Sequence, residues 1–332
     1  MPDEDEMLRD LTSNAALPML AAALLCPIAP RTCGTVIGPI DVHSQMLVQT
    51  AWLEDHLHES DLIVLQIGRD RAQYDSGHIP GSRFLSLDEL VEQRADSLNE
   101  LPPVAELADT FASLGIQDSS RVILVDEAGG VLAARAYFTL DYLGHGDQAA
   151  LLDGGLKNWR RESRPISEDQ PRIDRGDFHP HIRPEILINT PQMNHLSRIA
   201  TEKNSGSDSV LLDARPMAEH TGAVYSDSIS QAGHIAGSQS LYWKNLIHSE
   251  ADPELLDPGE LQQQFENAGA LPQKLVVTYC RTGMQSSFTY FVAKYLGYRT
   301  AMYDGSVYEW VRSSGGSLVT SPEASRATPI HP

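Results

Sequence analysis

Short continuous apolar runs alternate with longer amphipathic stretches along this chain, and the alternation occurs twice in the same order. The runs "DLIVLQIGRD" (61–70) and "DSVLLDARPM" (208–217) are apolar, partly β-branched and bounded by acids, which predicts buried strands. Each leads to a matching turn, "SGHIPGSRF" (76–84) and "AGHIAGSQS" (232–240), with His78 and His234 aligned. A second strand and a helix follow in both copies, as "SRVILVDEAGGVLAARAYFTLDYLGH" from Ser120 and "KLVVTYCRTGMQSSFTYFVAKYLGY" from Lys274. The units close on "LDGGLKNW", ending at Trp159, and "YDGSVYEW", ending at Trp310, two tryptophans expected to anchor packing. Helical patterns precede the second strand of each copy, in "PPVAELADTFASLG" from Pro102 and "DPGELQQQFENAG" from Asp257. A further amphipathic helix is expected in "AWLEDHLHES" from Ala51.

Strands alternating with helices predict an α/β fold, two tandem units each built on a mostly parallel sheet flanked by helices. The repeat implies an N-terminal leader or arm over 1–44, a first domain over 45–165, a linker over 166–185, a second domain over 186–320 and a tail over 321–332. The linker region is charged and Pro-bearing. Its His179 and His181 have no third ligand nearby and are expected at the surface rather than on a metal. The leader carries an apolar patch from Leu17 to Pro30 that is too short and Pro-interrupted to span a membrane. It resembles the core of an export signal, but Asp3, Glu4, Asp5 and Glu6 are wrong for a basic leader, and a start at Met7 would improve the match. Both an exported, periplasmic protein and a cytoplasmic one with an N-terminal arm fit this segment.

With 332 residues and 41% hydrophobic content, the chain can bury the cores of two domains. A formal net charge of −20 argues against nucleic acid as a main partner, because phosphate binding needs clustered Lys and Arg. Three cysteines do not make a disulfide scaffold, and the spacing of Cys26 and Cys33 leaves open whether they pair.

Cys280 has the most reactive-looking surroundings. It ends the strand "KLVVTY" and precedes the helical "SSFTYFVAKYLG", whose Phe288, Phe291, Val292, Tyr295 and Leu296 form a core-facing stripe. Arg281, Thr282, Gly283, Met284 and Gln285 must turn tightly between the two, with Gly283 free to take positive φ and Ser286 or Ser287 as the expected helix cap. Such a loop curls N–H groups around the sulfur at a helix N-terminus, which favours a thiolate. A lone cysteine by itself reads as a buried structural residue. The glycine-bearing loop at the carboxyl end of a strand, where open α/β sheets place ligands, reverses that balance. Arg281 adds a group suited to an oxyanion. In the first copy, aligning the downstream "DYLGH" with "KYLGY" puts Glu127 opposite Cys280 and Gly130 opposite Gly283, so the first copy is expected to be catalytically silent. A cysteine phosphatase would need arginine six residues after the nucleophile, where Ser286 stands.

The duplicated GHI-x-G segments at Gly77–Gly81 and Gly233–Gly237, the Cys280 loop and the terminal "GSVYEW" resemble the two-domain rhodanese family of sulfurtransferases, over about Leu47 to Leu318. The resemblance implies ping-pong sulfur transfer with Cys280 as nucleophile and Arg281, Thr282, Gly283, Met284, Gln285 and Ser286 as the substrate-binding loop. It implies a small sulfane donor, a nucleophilic acceptor such as cyanide, a thiol or a thiol protein, and no metal or other cofactor. Thiosulfate enzymes of the family tend to have Cys-Arg-Lys-Gly here, and mercaptopyruvate enzymes Cys-Gly-Ser/Thr-Gly. This chain has Cys280-Arg281-Thr282-Gly283, which tilts the expectation toward thiosulfate, with 3-mercaptopyruvate or a sulfur-carrier role as alternatives. The family's Asp-x-Arg-x-x-x-Arg pattern becomes Asp213-Ala214-Arg215-Pro216-Met217-Ala218-Glu219, so Glu219 replaces the later arginine. Arg215 is expected to pair locally. On the same alignment Ile67 falls opposite Asp213, and Asp304 and its counterpart Asp153 are expected to be structural.

Overall fold

The computed structural model describes residues 42–202 and 206–321 and the backbone of 328–330. The leader, with Cys26 and Cys33, lies outside the described residues. The first half forms a five-stranded parallel sheet from β1 (Leu47–Val48), β2 (Leu62–Gly68), β3 (Arg83–Ser86), β4 (Arg121–Val125) and β5 (Ala149–Leu152), in the order β1-β5-β4-β2-β3. In the second half come β6 (Leu187–Ile188), β7 (Ser209–Asp213) and two short strands, β8 (Val224–Ser226) and β9 (His234–Ile235). They are followed by β10 (Gln239–Ser240), β11 (Leu275–Tyr279) and β12 (Arg299–Tyr303). The second sheet has the order β10-β7-β11-β12-β6 and is again parallel throughout. β2 and β4 are apolar and buried nearly end to end, as parallel strands covered on both faces must be.

Strand order reverses between β2 and β4 in one half and between β7 and β11 in the other. Ligand clefts of open α/β sheets lie at the carboxyl ends of such strand pairs. Asp126 follows β4 there, and Cys280 follows β11. Helices Val131–Tyr142 and Met284–Tyr295 leave these two points and pack against each other, joining the halves in one apolar core. Tyr137 meets Phe291 edge-on, and Phe138 meets Tyr290 in the same way. The fully buried Asp141 sits between the halves, accepting from Tyr290 Oη at 2.6 Å, Lys294 Nζ at 2.6 Å and Arg183 Nη1 at 2.5 Å.

The two GHI turns are structural. His78 Nδ1 lies 2.9 Å from the Tyr74 carbonyl and His234 Nδ1 2.7 Å from that of His220, and each imidazole stacks on the ring of the same partner. Trp159 and Trp310 are core anchors whose indole N–H groups donate to the carbonyls of Pro165 and Ser317. His179 is at the surface, 3.0 Å from Asp118.

Backbone pairing corrects two alignments. The amide of Arg121 donates to Asp61, as that of Leu275 does to Asp208, and Leu156 N donates to Asp126 O, as Val307 N does to Cys280 O. Asp126, not Glu127, therefore occupies the position of Cys280. Gln66 pairs with Val125 across the sheet as Asp213 pairs with Tyr279, so Gln66, not Ile67, stands opposite Asp213. The first copy has one extra residue in the loop after each strand, and alignment from the downstream helices passes over it. Glu127 is instead drawn aside into an ion pair with Arg160.

Candidate active site

β11 delivers Cys280 to the start of helix Met284–Tyr295, where the residue is 1% exposed. Gly283 is the helix N-cap with φ 82°, matching Gly130 with φ 89° in the first half. A Cβ at Gly283 would lie 2.5 Å from an Asp304 carboxylate oxygen, so the position excludes larger residues twice over. The helix begins at Met284, two residues before the expected serine caps. Ser286 is consequently inside its first turn, and its hydroxyl lies 3.6 Å from Cys280 Sγ and 3.0 Å from the Gly283 carbonyl, while Ser287 Oγ bonds the same carbonyl at 2.8 Å.

The first half shows what this loop geometry is built to hold. The Asp126 carboxylate accepts N–H bonds from Ala128 at 2.9 Å, Gly130 at 2.8 Å, Leu132 at 2.7 Å and Ala133 at 2.8 Å. Burial pushes its pKa up, and these four amides pull against that. An anion on the side chain at the strand end thus fills a cradle of amides. In the second half the equivalent amides belong to Arg281, Gly283, Gln285 and Ser286. Those of Gln285 and Ser286 lie in the first turn of the helix, where amides have no intrahelical acceptor.

One residue that the sequence did not single out organises the loop. Ser306 Oγ accepts the N–H of both Cys280 and Gly283, each at 3.1 Å, and donates to the Tyr303 carbonyl at 3.0 Å. Ser306 sits at φ 53°, a region that glycine takes freely, and its first-half counterpart Gly155 has φ 59°. A non-glycine residue there is strained, and the strain accompanies a hydroxyl that ties down the loop. The signal in the sequence is the contrast between "DGGLKNW" and "DGSVYEW".

The other expected site residues divide. The Arg281 guanidinium is held by the buried Glu219, Nη2 to Oε1 at 2.5 Å and Nε to Oε2 at 3.3 Å, so its charge is matched within the protein. Arg215 forms a two-pronged pair with Asp213, Nη2 to Oδ2 at 2.6 Å and Nε to Oδ1 at 2.9 Å, which holds the Asp213 carboxyl well below its ordinary range despite full burial. Thr282 Oγ1 accepts from the Asn99 side chain at 3.0 Å. Met284 and Gln285 line a cavity shared with the first half. Asp304 accepts the Leu101 N–H at 3.2 Å and pairs with the buried Arg135; Asp153 accepts the Leu255 N–H at 2.9 Å. Both aspartates thus bind a strap from the opposite half. No group of three or more His, Cys, Asp or Glu able to hold a metal ion occurs among the described residues, and no described helix is long and apolar enough to cross a membrane.

The molecule is thus a duplicated parallel α/β protein whose second half carries a buried free cysteine between a strand end and a helix N-terminus. The rhodanese-like domain family model matches residues 49–162 and again 197–313, and the chain belongs to that family of sulfurtransferases. The sulfur carrier protein TtuD of Thermus thermophilus is 30% identical over 297 residues, covering 85% of this chain and 97% of its own. A thiosulfate sulfurtransferase of Azotobacter vinelandii is 30% identical over 270 residues, covering 80% and 93%. The crystal structure of SseA from Escherichia coli, titled for the rhodanese fold of 3-mercaptopyruvate sulfotransferases, superposes with a TM-score of 0.69 over 79% of this chain and 98% of that one. At 24% identity it shows the shared fold alone.

Proposed function

We propose that this sulfurtransferase moves sulfane sulfur from thiosulfate to cyanide or a thiol through a persulfide on Cys280. The Cys280 thiolate attacks the outer sulfur of thiosulfate. A sulfur–sulfur bond forms to Cys280 as the bond inside thiosulfate breaks, and sulfite leaves with the electron pair. The acceptor then attacks the outer persulfide sulfur and the Cys280 thiolate is restored. The observation that carries this reading is the comparison of the two halves: the strand-end position whose loop gathers four amides on the Asp126 carboxylate is held by Cys280 in the second, where the Gly283 amide bonds Ser306 Oγ and the first-turn amides have no intrahelical acceptor. The negative outer sulfur of a persulfide has the charge this cradle accepts. Ser286 Oγ stands 3.6 Å from the thiol with its proton shared with the Gly283 carbonyl, and Arg281 stands next in the chain for an anionic donor.

The Arg281–Glu219 pair favours a second reading. An arginine already neutralised by a buried carboxylate attracts a dianion less strongly, which suits 3-mercaptopyruvate as donor or a carrier loaded by another protein. Purified protein offered thiosulfate and 3-mercaptopyruvate separately, with cyanide as acceptor and Cys280→Ser alongside, separates these. Faster turnover of thiosulfate, abolished in the variant, is expected. Preference for 3-mercaptopyruvate would overturn the donor assignment, and turnover of neither donor would leave the carrier reading.

A further inference from the structure

The peptide between Thr282 and Gly283, in the Cys280 loop, is gripped at both ends. Its N–H donates to Ser306 Oγ at 3.1 Å. On its other side the carboxamide nitrogen of Asn99, from the first half, lies 3.0 Å from Thr282 Oγ1 and 3.4 Å from the Thr282 carbonyl oxygen. Four non-glycine residues take positive φ among the described residues, and two of them are this pair, Asn99 at 58° and Ser306 at 53°. That region is strained for a residue with a side chain, and such strain collects at functional sites. Here strained residues from the two halves converge on one peptide.

The grip works in one sense only. The Asn99 side-chain oxygen accepts from Gln93 Nε2 at 2.9 Å, so the carboxamide turns its N–H groups to Thr282 and can meet only acceptors there. The Ser306 hydroxyl gives its proton to the Tyr303 carbonyl at 3.0 Å, so it offers the peptide a lone pair. A peptide preceding a glycine at φ 82° flips readily when nothing holds it. A flip here would set the Thr282 carbonyl against a lone pair of Ser306 and the Gly283 N–H against the N–H groups of Asn99. Both ends therefore oppose it. Asn99 is itself pinned, because its backbone carbonyl accepts from the buried Arg135 at 2.6 Å.

We infer that Asn99 is a positioning residue for sulfur transfer: from the half that lacks the cysteine, it acts through Thr282 to hold the Cys280 loop in its working form. The inference rests on the reading of Cys280 as the residue that carries the sulfur.

Asn99→Gly in the full chain is the test. Glycine takes φ 58° freely and keeps the backbone carbonyl that Arg135 uses, so only the carboxamide is lost. Single-turnover persulfide formation from thiosulfate and kcat should both fall about fivefold, while KM changes less than about twofold and the melting temperature holds. Cys280 is 1% exposed, so its alkylation by iodoacetamide reads how often the loop opens. That rate should rise about threefold or more, opposite to the rate of sulfur transfer. Unchanged persulfide formation, an unchanged alkylation rate, or a loss of transfer matched by a fall in melting temperature overturns the assignment. If the wild-type chain takes sulfur from neither thiosulfate nor 3-mercaptopyruvate, the donor reading fails instead, and the alkylation rate alone decides whether Asn99 holds the loop.

Discussion

Ser306 shows how a single side chain sets the Cys280 loop. Ser306→Gly relieves the backbone at φ 53° but deletes the hydroxyl that collects the Cys280 and Gly283 amides. Each such bond is worth about 0.5–1.5 kcal/mol. Sulfur-transfer turnover should therefore fall roughly tenfold while the melting temperature holds, and unchanged turnover would remove Ser306 from the account. Glu219 offers the opposite experiment. Glu219→Gln releases the Arg281 charge, so the KM for thiosulfate should drop about threefold or more, whereas an unchanged KM would show that Arg281 does not meet the donor. At this scale the sequence was legible where chemistry is local. Cys280 and Gly283 stand out because a thiol and a glycine between strand and helix have few uses. Ser306 was not legible, because it acts from 26 residues away and in a conformation a serine rarely takes. The Arg281–Glu219 pair spans 62 residues, and only the fold brings it together.

Among the elements, the strap around residues 92–101 covers the active loop. Glu92 and Glu100 bridge its base, Asn99 holds Thr282, and the Leu101 amide caps Asp304. The matching strap of the second half places Glu254 against Asn158, a carboxylate meeting a carboxamide. At the equivalent point over the active loop, Glu100 faces Glu309, with Asp304, Arg135 and Arg94 around it. Burial, then Asp304 and Glu309, push the Glu100 carboxyl up to about 8, and its Oε1 has no partner. An unfolded Glu releases its proton near pH ~4.3, so between there and about pH 8 the folded chain holds the extra proton. Stability from this group is therefore lost as pH rises across that window and levels off above it. Glu100→Gln should flatten the fall, raising the urea midpoint at about pH 8.5 more than at about pH 5. Equal shifts at both would contradict this account of Glu100. Strands, helices and the turns between them were readable from apolar periodicity, because each copy repeats them. The one-residue insertions after β2 and β4 were not, since the segments downstream align equally well without them, which sets Glu127 rather than Asp126 opposite Cys280.

For the whole molecule, duplication explains both the core and the division of labour. The two halves share a continuous apolar core through helices Val131–Tyr142 and Met284–Tyr295, and the polar locks across it are buried. Arg135 is 0% exposed and Asp304 2%, and the pair ties the first half to the segment behind the active loop. Asp304→Asn would leave a guanidinium buried without its carboxylate, at a cost of about 3–5 kcal/mol. Thermal unfolding should shift down accordingly and remain a single transition, because neither half keeps a complete core alone. Two separated transitions would show that the halves fold independently. The shared fold was legible from the repeat, and the interface was not, since Asp141, Arg135 and Asp304 lie in stretches that also satisfy their own domains.

The most direct test is intact-mass analysis of the full chain after exposure to thiosulfate and removal of excess donor. The account predicts the gain of one sulfur atom, lost again on adding cyanide and absent in Cys280→Ser. No added sulfur on the wild-type chain, or the same gain in Cys280→Ser, would contradict it.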